Sequence, residues 1–106
     1  PLTPRDTRAA RPESSLLPYA PSLRDAVDER PVIVSFGGVT TRNAMAYLFQ
    51  VPITSVSAVP ADGIDALIDR PAAPSILVVR PNQLTSEPDP DTVVRRTDEL
   101  IVLAIG

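Results

Sequence analysis

The chain contains no cysteine, no histidine and no lysine. Without cysteine there is no disulfide, and a domain of 106 residues needs none, so the compartment stays open. Without cysteine and histidine, the usual zinc sites, Cys–His and Ser–His catalysis and an unperturbed histidine pH switch are excluded. Without lysine there is no phosphate-loop lysine. Tryptophan is absent, and two Tyr and two Phe are too few for a base-stacking surface. A net charge of -3 lacks the basic footprint of a nucleic-acid binder. No apolar run is long enough to span a membrane, and no signal peptide is visible. The chain begins at Pro1 rather than Met, and the expectation is a piece of a longer polypeptide whose membrane or targeting segments lie elsewhere.

What is present is organised around residues 31–52, PVIVSFGGVTTRNAMAYLFQVP. Val32, Ile33 and Val34 form a short apolar run, as in a strand buried on both faces. Gly37-Gly38 permits a tight turn, because glycine reaches positive φ without steric cost. Thr40 or Thr41 is expected to cap the following helix. Ala44, Tyr47, Leu48 and Val51 recur at i, i+3, i+4 and i+7 and predict its apolar face. Pro52 ends it.

The remaining chain repeats the alternation. Residues 1–21, with Pro1, Pro4, Pro12, Pro18 and Pro21, read as a linker or arm. Its Arg5, Arg8 and Arg11 read as solvated tether charges rather than a lipid-facing patch, and Leu16, Leu17 and Tyr19 are able to pack back. Ser22 is expected to cap a short helix reaching Glu29, with Leu23, Ala26 and Val27 on one face. Residues 53–59 read as a second strand, parallel to the first through a right-handed crossover. Asp62 is expected to cap a second crossover helix carrying Ile64, Leu67 and Ile68. Ile76–Val79 reads as a third strand buried on both faces, 82–91 as a polar loop, and 92–95 with 100–105 as a hairpin.

No motif carries catalysis. Ser35-Phe36-Gly37-Gly38 occupies the place of a phosphate loop, but neither G-x-G-x-x-G nor a Walker lysine is present, so it reads as a tight turn. A ligand, if one binds, is expected at the carboxyl ends of the parallel strands, near Gly37, Gly38, Thr40, Thr41 and Arg42. Arg80 and Asn82 close the third strand at the same end, and Arg80 is expected to pair with Asp89 or Asp91 or to snorkel. Asp62, Asp65 and Asp69 read as a cap and a solvated helix face rather than acid–base or metal ligands. Glu87, Asp89 and Asp91 read as loop solubility, since a calcium loop needs more oxygen ligands and a glycine at its sharp turn. No catalytic residue, metal ligand or cofactor is expected.

Two resemblances follow. Asn43 through Ile53, NAMAYLFQVPI, resembles the "slafYLgrpv" helix of the soluble C-terminal domains of GT-C membrane glycosyltransferases, the aminoarabinose and protein O-mannosyltransferase class. Ile64 through Ile68 resembles their "ldaLl" helix, Ile76 through Leu84 their "ilVvRpnql" strand, and the hairpin also fits, so the likeness covers about residues 16–106. Those families keep their catalytic carboxylates in the membrane-embedded part and its first large loop, so the resemblance implies none here. Separately, 88–94 and 98–103 are similar to the TrkA-C domain of potassium conductance regulators, "PdpdtvlraGDeLivlG". That likeness covers 53–106 and implies a dimer that can bind a cyclic dinucleotide, with Arg80 and Asn82 best placed for it.

The expected fold is α/β, a small mixed-sheet sandwich, βαβαβ followed by a C-terminal hairpin, over residues 22–106. The expected function is that of a noncatalytic accessory domain on the extracytoplasmic face of a bacterial membrane. It would serve a glycosyltransferase that uses polyprenyl-phosphate sugars, with the membrane-embedded portion as partner. The alternative is a cytoplasmic, ligand-sensing domain of a potassium transport system.

Overall fold

The computed structural model describes residues 12–71 and 73–106. Arg5, Arg8 and Arg11 of the expected arm lie outside these residues. From the N-terminus come a 3₁₀ segment Pro12–Tyr19, α1 (Ala20–Val27), β1 (Val32–Val34), α2 (Val39–Phe49) and β2 (Val56–Ala58). Then follow α3 (Ile64–Asp69), β3 (Ser75–Val79), β4 (Val93–Arg96) and β5 (Ile101–Ile105). The five strands form one mixed sheet in the order β2-β1-β3-β5-β4. β1 pairs in parallel with both β2 and β3, through Val32↔Val56 and Val32↔Ile76. β3 and β5 are antiparallel, Leu77 facing Leu103, and β4 completes the hairpin. The protein is therefore an α/β domain, βαβαβ followed by a hairpin.

Side chains alternate across a strand, and here both sides are covered. Ile76 and Val78 join Val32, Val34 and Val102 beneath α1 and α2, whose Leu23, Met45, Leu48 and Phe49 fill that half of the core. Leu77 and Val79 point the other way, to Ile64 of α3, with Leu67, Ile68 and Leu84 at the margin. All five residues of β3 are buried. This is why the sequence there is an unbroken apolar run and not an alternating one.

Several local expectations are corrected. Helix α2 buries Thr41, Met45, Leu48 and Phe49, whereas Tyr47 is 67% exposed and Ala44 only half-buried. Residues 44–49 are all apolar or aromatic, so periodicity alone did not fix the face. The sheet takes the bulkier hydrocarbon of Met45 and Phe49, and Tyr47 keeps its hydroxyl in water. Neither threonine caps α2: Gly38 is the cap residue, and the helix has already begun at Val39. Ser22 lies inside α1, which starts at Ala20 with Pro21 in its first turn, where proline's missing N–H costs nothing. Asp62 falls in a 3₁₀ turn, Ala61–Gly63, and caps nothing; α3 begins after Gly63. The strand expected over 53–59 opens as a 3₁₀ turn, Ile53–Ser55. Its partner β1 has only three residues between Pro31 and the glycine turn, so β2 is short as well.

Of the segment read as a linker, residues 12–21 carry structure. Leu16 is fully buried in the core, while Leu17 is 53% exposed. Ser15 and Thr97 hydroxyls hydrogen-bond at 2.8 Å. The guanidinium of Arg95 lies 4.2 Å from the centre of the Tyr19 ring, a cation–π contact. The 3₁₀ segment is thus strapped to the hairpin on the far side of the sequence.

Candidate functional site

The crossover helices α2 and α3 pack on opposite faces of the sheet. Chain direction across the sheet therefore reverses between β1 and β3, and the crevice outside their carboxyl ends is the favoured place for a ligand in an open α/β sheet. Ser35 through Gly38 form one wall and Arg80 through Gln83 the other.

The left wall is a forced turn. Gly37 has φ +73°, a region that side chains strain to enter. A Cβ there would also run into the hydroxyl of Thr41. Gly38 is extended and has open space around it. Thr40 is exposed at the start of α2, while Thr41 is buried beneath the Gly37 turn. Arg42 is half-buried, with its Nε enclosed and without a hydrogen-bond partner.

The right wall carries the group that sequence reasoning missed. Gln83 reaches across the crevice to the end of β1. Its Nε2 donates to the carbonyl of Ser35 at 3.0 Å, and its Oε1 accepts from the Ser35 hydroxyl. The same Oε1 accepts the backbone N–H of Arg80 at 2.9 Å, and the Gln83 N–H returns to the Arg80 carbonyl at 3.0 Å. One side-chain amide thus fills the position that a ligand would take between β1 and β3. A signal was available: Gln83 lies three residues after Arg80, the cap residue of the turn that follows β3, which is the spacing of a reciprocal cap.

On its outer side, away from Gln83, the same wall presents Arg80 and Asn82 to a second hollow. With Pro81, Asp98 and Glu99 they line a shallow hollow of 240 Å³. Arg80 does not pair with Asp89 or Asp91; its guanidinium lies 5.5 Å from the Phe36 ring centre.

The carboxylates fall into one region without forming a centre. Asp65 and Asp69 border a hollow of 260 Å³ with Glu87 and Asp89. Asp65 accepts from the Thr85 hydroxyl at 3.1 Å, Asp89 from the Asp91 N–H at 3.0 Å, and Glu87 pairs with Arg96 at 3.3 Å. Among the described residues no three acidic side chains come together to hold a metal, and no helix is long and apolar enough to cross a membrane.

Comparison with known proteins found no matching family model, no matching curated protein and no matching solved structure.

Proposed function

We propose that this chain is a noncatalytic accessory domain of a membrane glycosyltransferase that uses polyprenyl-phosphate sugars, lying on the extracytoplasmic face of a bacterial membrane. Its partner in this reading is the membrane-embedded portion of the same polypeptide or of a neighbouring membrane protein. That portion supplies the chemistry, and this domain assists engagement of the acceptor or partner.

One observation carries the choice over the potassium-regulator reading. β1 lies between β2 and β3 and hydrogen-bonds to both. A likeness confined to 53–106 omits that strand and α2, and so omits the element that joins β2 to the rest of the sheet. The transferase likeness, over about 16–106, spans every strand and includes the buried Leu16. The likeness itself rests on the short sequence words at 43–53, 64–68 and 76–84 and on the hairpin.

The test has two parts. The codons preceding Pro1 are read: several apolar spans support the proposal, and a dinucleotide-binding domain overturns it. In the longer polypeptide, residues 12–106 are then deleted and sugar transfer from a polyprenyl-phosphate donor is measured. The expected result is weakened use of acceptor with donor turnover retained. Unchanged transfer to the acceptor would sink the accessory role.

A further inference from the structure

At the end of the sheet opposite the Gln83 crevice, α1 and α2 both finish at the rim of a hollow of 350 Å³. That volume lies within the range of small-molecule sites, about 300–1,000 Å³. Both helices end there in left-handed residues. Asp28, Glu29 and Gln50, at φ 42°, 63° and 57°, are the non-glycine residues with positive φ among those described. They follow directly on the two helix ends. A left-handed residue after the last turn is a common way to end a helix, and here these residues turn the chain at the rim of the hollow.

The lining divides in two. Val27, Phe49, Val51 and Pro52 supply an apolar floor, and Arg24 and Arg30 supply charge. Helix carboxyl ends ordinarily repel anions, but the carbonyls here are already occupied. Val27 O accepts from the Arg30 N–H at 2.7 Å, and Ala46 O from the Val51 N–H at 3.0 Å. Tyr47 O accepts from the N–H and the side-chain amide of Gln50. Leu48 O accepts from Arg24 Nε at 3.0 Å. The other donors of Arg24, and the whole guanidinium of Arg30, have no acceptor among the described residues. Both arginines are half-buried, and Glu29, also on the rim, is exposed and makes no ion pair with either.

We propose that this hollow binds a small amphipathic anion, a phosphate or carboxylate on an apolar chain. The forked guanidinium donors of Arg24 and Arg30 would grip the oxyanion, which they match bidentately, and the apolar floor would take the chain. The proposal does not rest on the transferase reading.

The test is calorimetric titration of the 106-residue chain with hexyl phosphate, hexanoate, inorganic phosphate and hexanol, with amide NMR to locate binding. Saturable binding of hexyl phosphate or hexanoate is expected, about tenfold or more tighter than inorganic phosphate or hexanol. The tighter of the two acids identifies the head group. Shifts are expected at Val27, Gln50 and Val51. Arg24→Ala also uncaps α2, so Arg30→Ala is the deciding variant. It should weaken binding about tenfold or more with the melting temperature unmoved, while Glu29→Gln tightens it. No saturation up to the order of 10 mM, undiminished binding by Arg30→Ala, or shifts confined to 37–42 would overturn the proposal.

Discussion

The side-chain amide of Gln83 and the backbone and hydroxyl of Ser35 form a two-way hydrogen-bonded link across the carboxyl ends of β1 and β3. Ser35 is only 5% exposed with Gln83 in place; without Gln83 its carbonyl loses that side-chain donor, while its hydroxyl keeps the Val78 carbonyl at 3.4 Å. Gln83→Ala should therefore destabilise the domain by about 1–3 kcal/mol, the usual cost of orphaning buried polar groups. Gln83→Glu should also destabilise, because a carboxylate oxygen would then face the Ser35 carbonyl without a proton to donate. Urea unfolding reads both, and midpoints equal to the parent would show that the link is not formed in solution.

The two glycines of the β1–α2 turn should respond differently. Gly37→Ala places a side chain at φ +73° and against Thr41, so a loss of about 1–2 kcal/mol or more is expected from the left-handed backbone alone. Gly38→Ala meets open space and should lose only the smaller difference between glycine and alanine at a cap. Equal melting temperatures for the two variants would contradict a left-handed Gly37 packed on Thr41.

The rotation of α2 has its own signature. Leu48→Asp buries an unpaired charge in the core and should cost on the order of several kcal/mol, comparable to the whole stability of a small domain. Tyr47→Ser, on the exposed side, should stay within about 0.5 kcal/mol. A Tyr47 variant that unfolds would restore the face that spacing alone predicted.

Leu16 tests the N-terminal strap. Its side chain is fully buried among α1 and α2 residues, and Leu16→Ala should cost about 2–5 kcal/mol. A thermal melt indistinguishable from the parent would return residues 12–21 to the status of a tether.

Cyclic di-AMP separates the two functional readings. Arg80 is stacked toward Phe36 and opens onto a hollow of only 240 Å³. The chain is expected to stay monomeric at micromolar concentration and to give no heat on titration with the dinucleotide. Tight binding by a dimer, lost in Arg80→Ala, would favour the potassium-regulator reading.

The sequence by itself determined what depends on neighbours along the chain. Apolar runs at Val32–Val34 and Ile76–Val79 mark strands covered on both sides, the glycines mark the turn between β1 and α2, and prolines mark where helices stop. Alternation of strand and helix then leaves few topologies, and the mixed sheet with its terminal hairpin follows. The tertiary structure decided what depends on residues distant in sequence. Which side of α2 is buried was undetermined because residues 44–49 are apolar nearly all round; packing against the sheet selected Met45 and Phe49. Ser35 and Gln83 are 48 positions apart, and Ser15 and Thr97 are 82 apart. Neither pair leaves a periodic trace, since a single hydrogen-bonded contact constrains position in space and not spacing along the chain. The same holds for Arg24 and Arg30: no periodic spacing links them to Phe49 and Val51, yet two helix ends bring all four to one hollow.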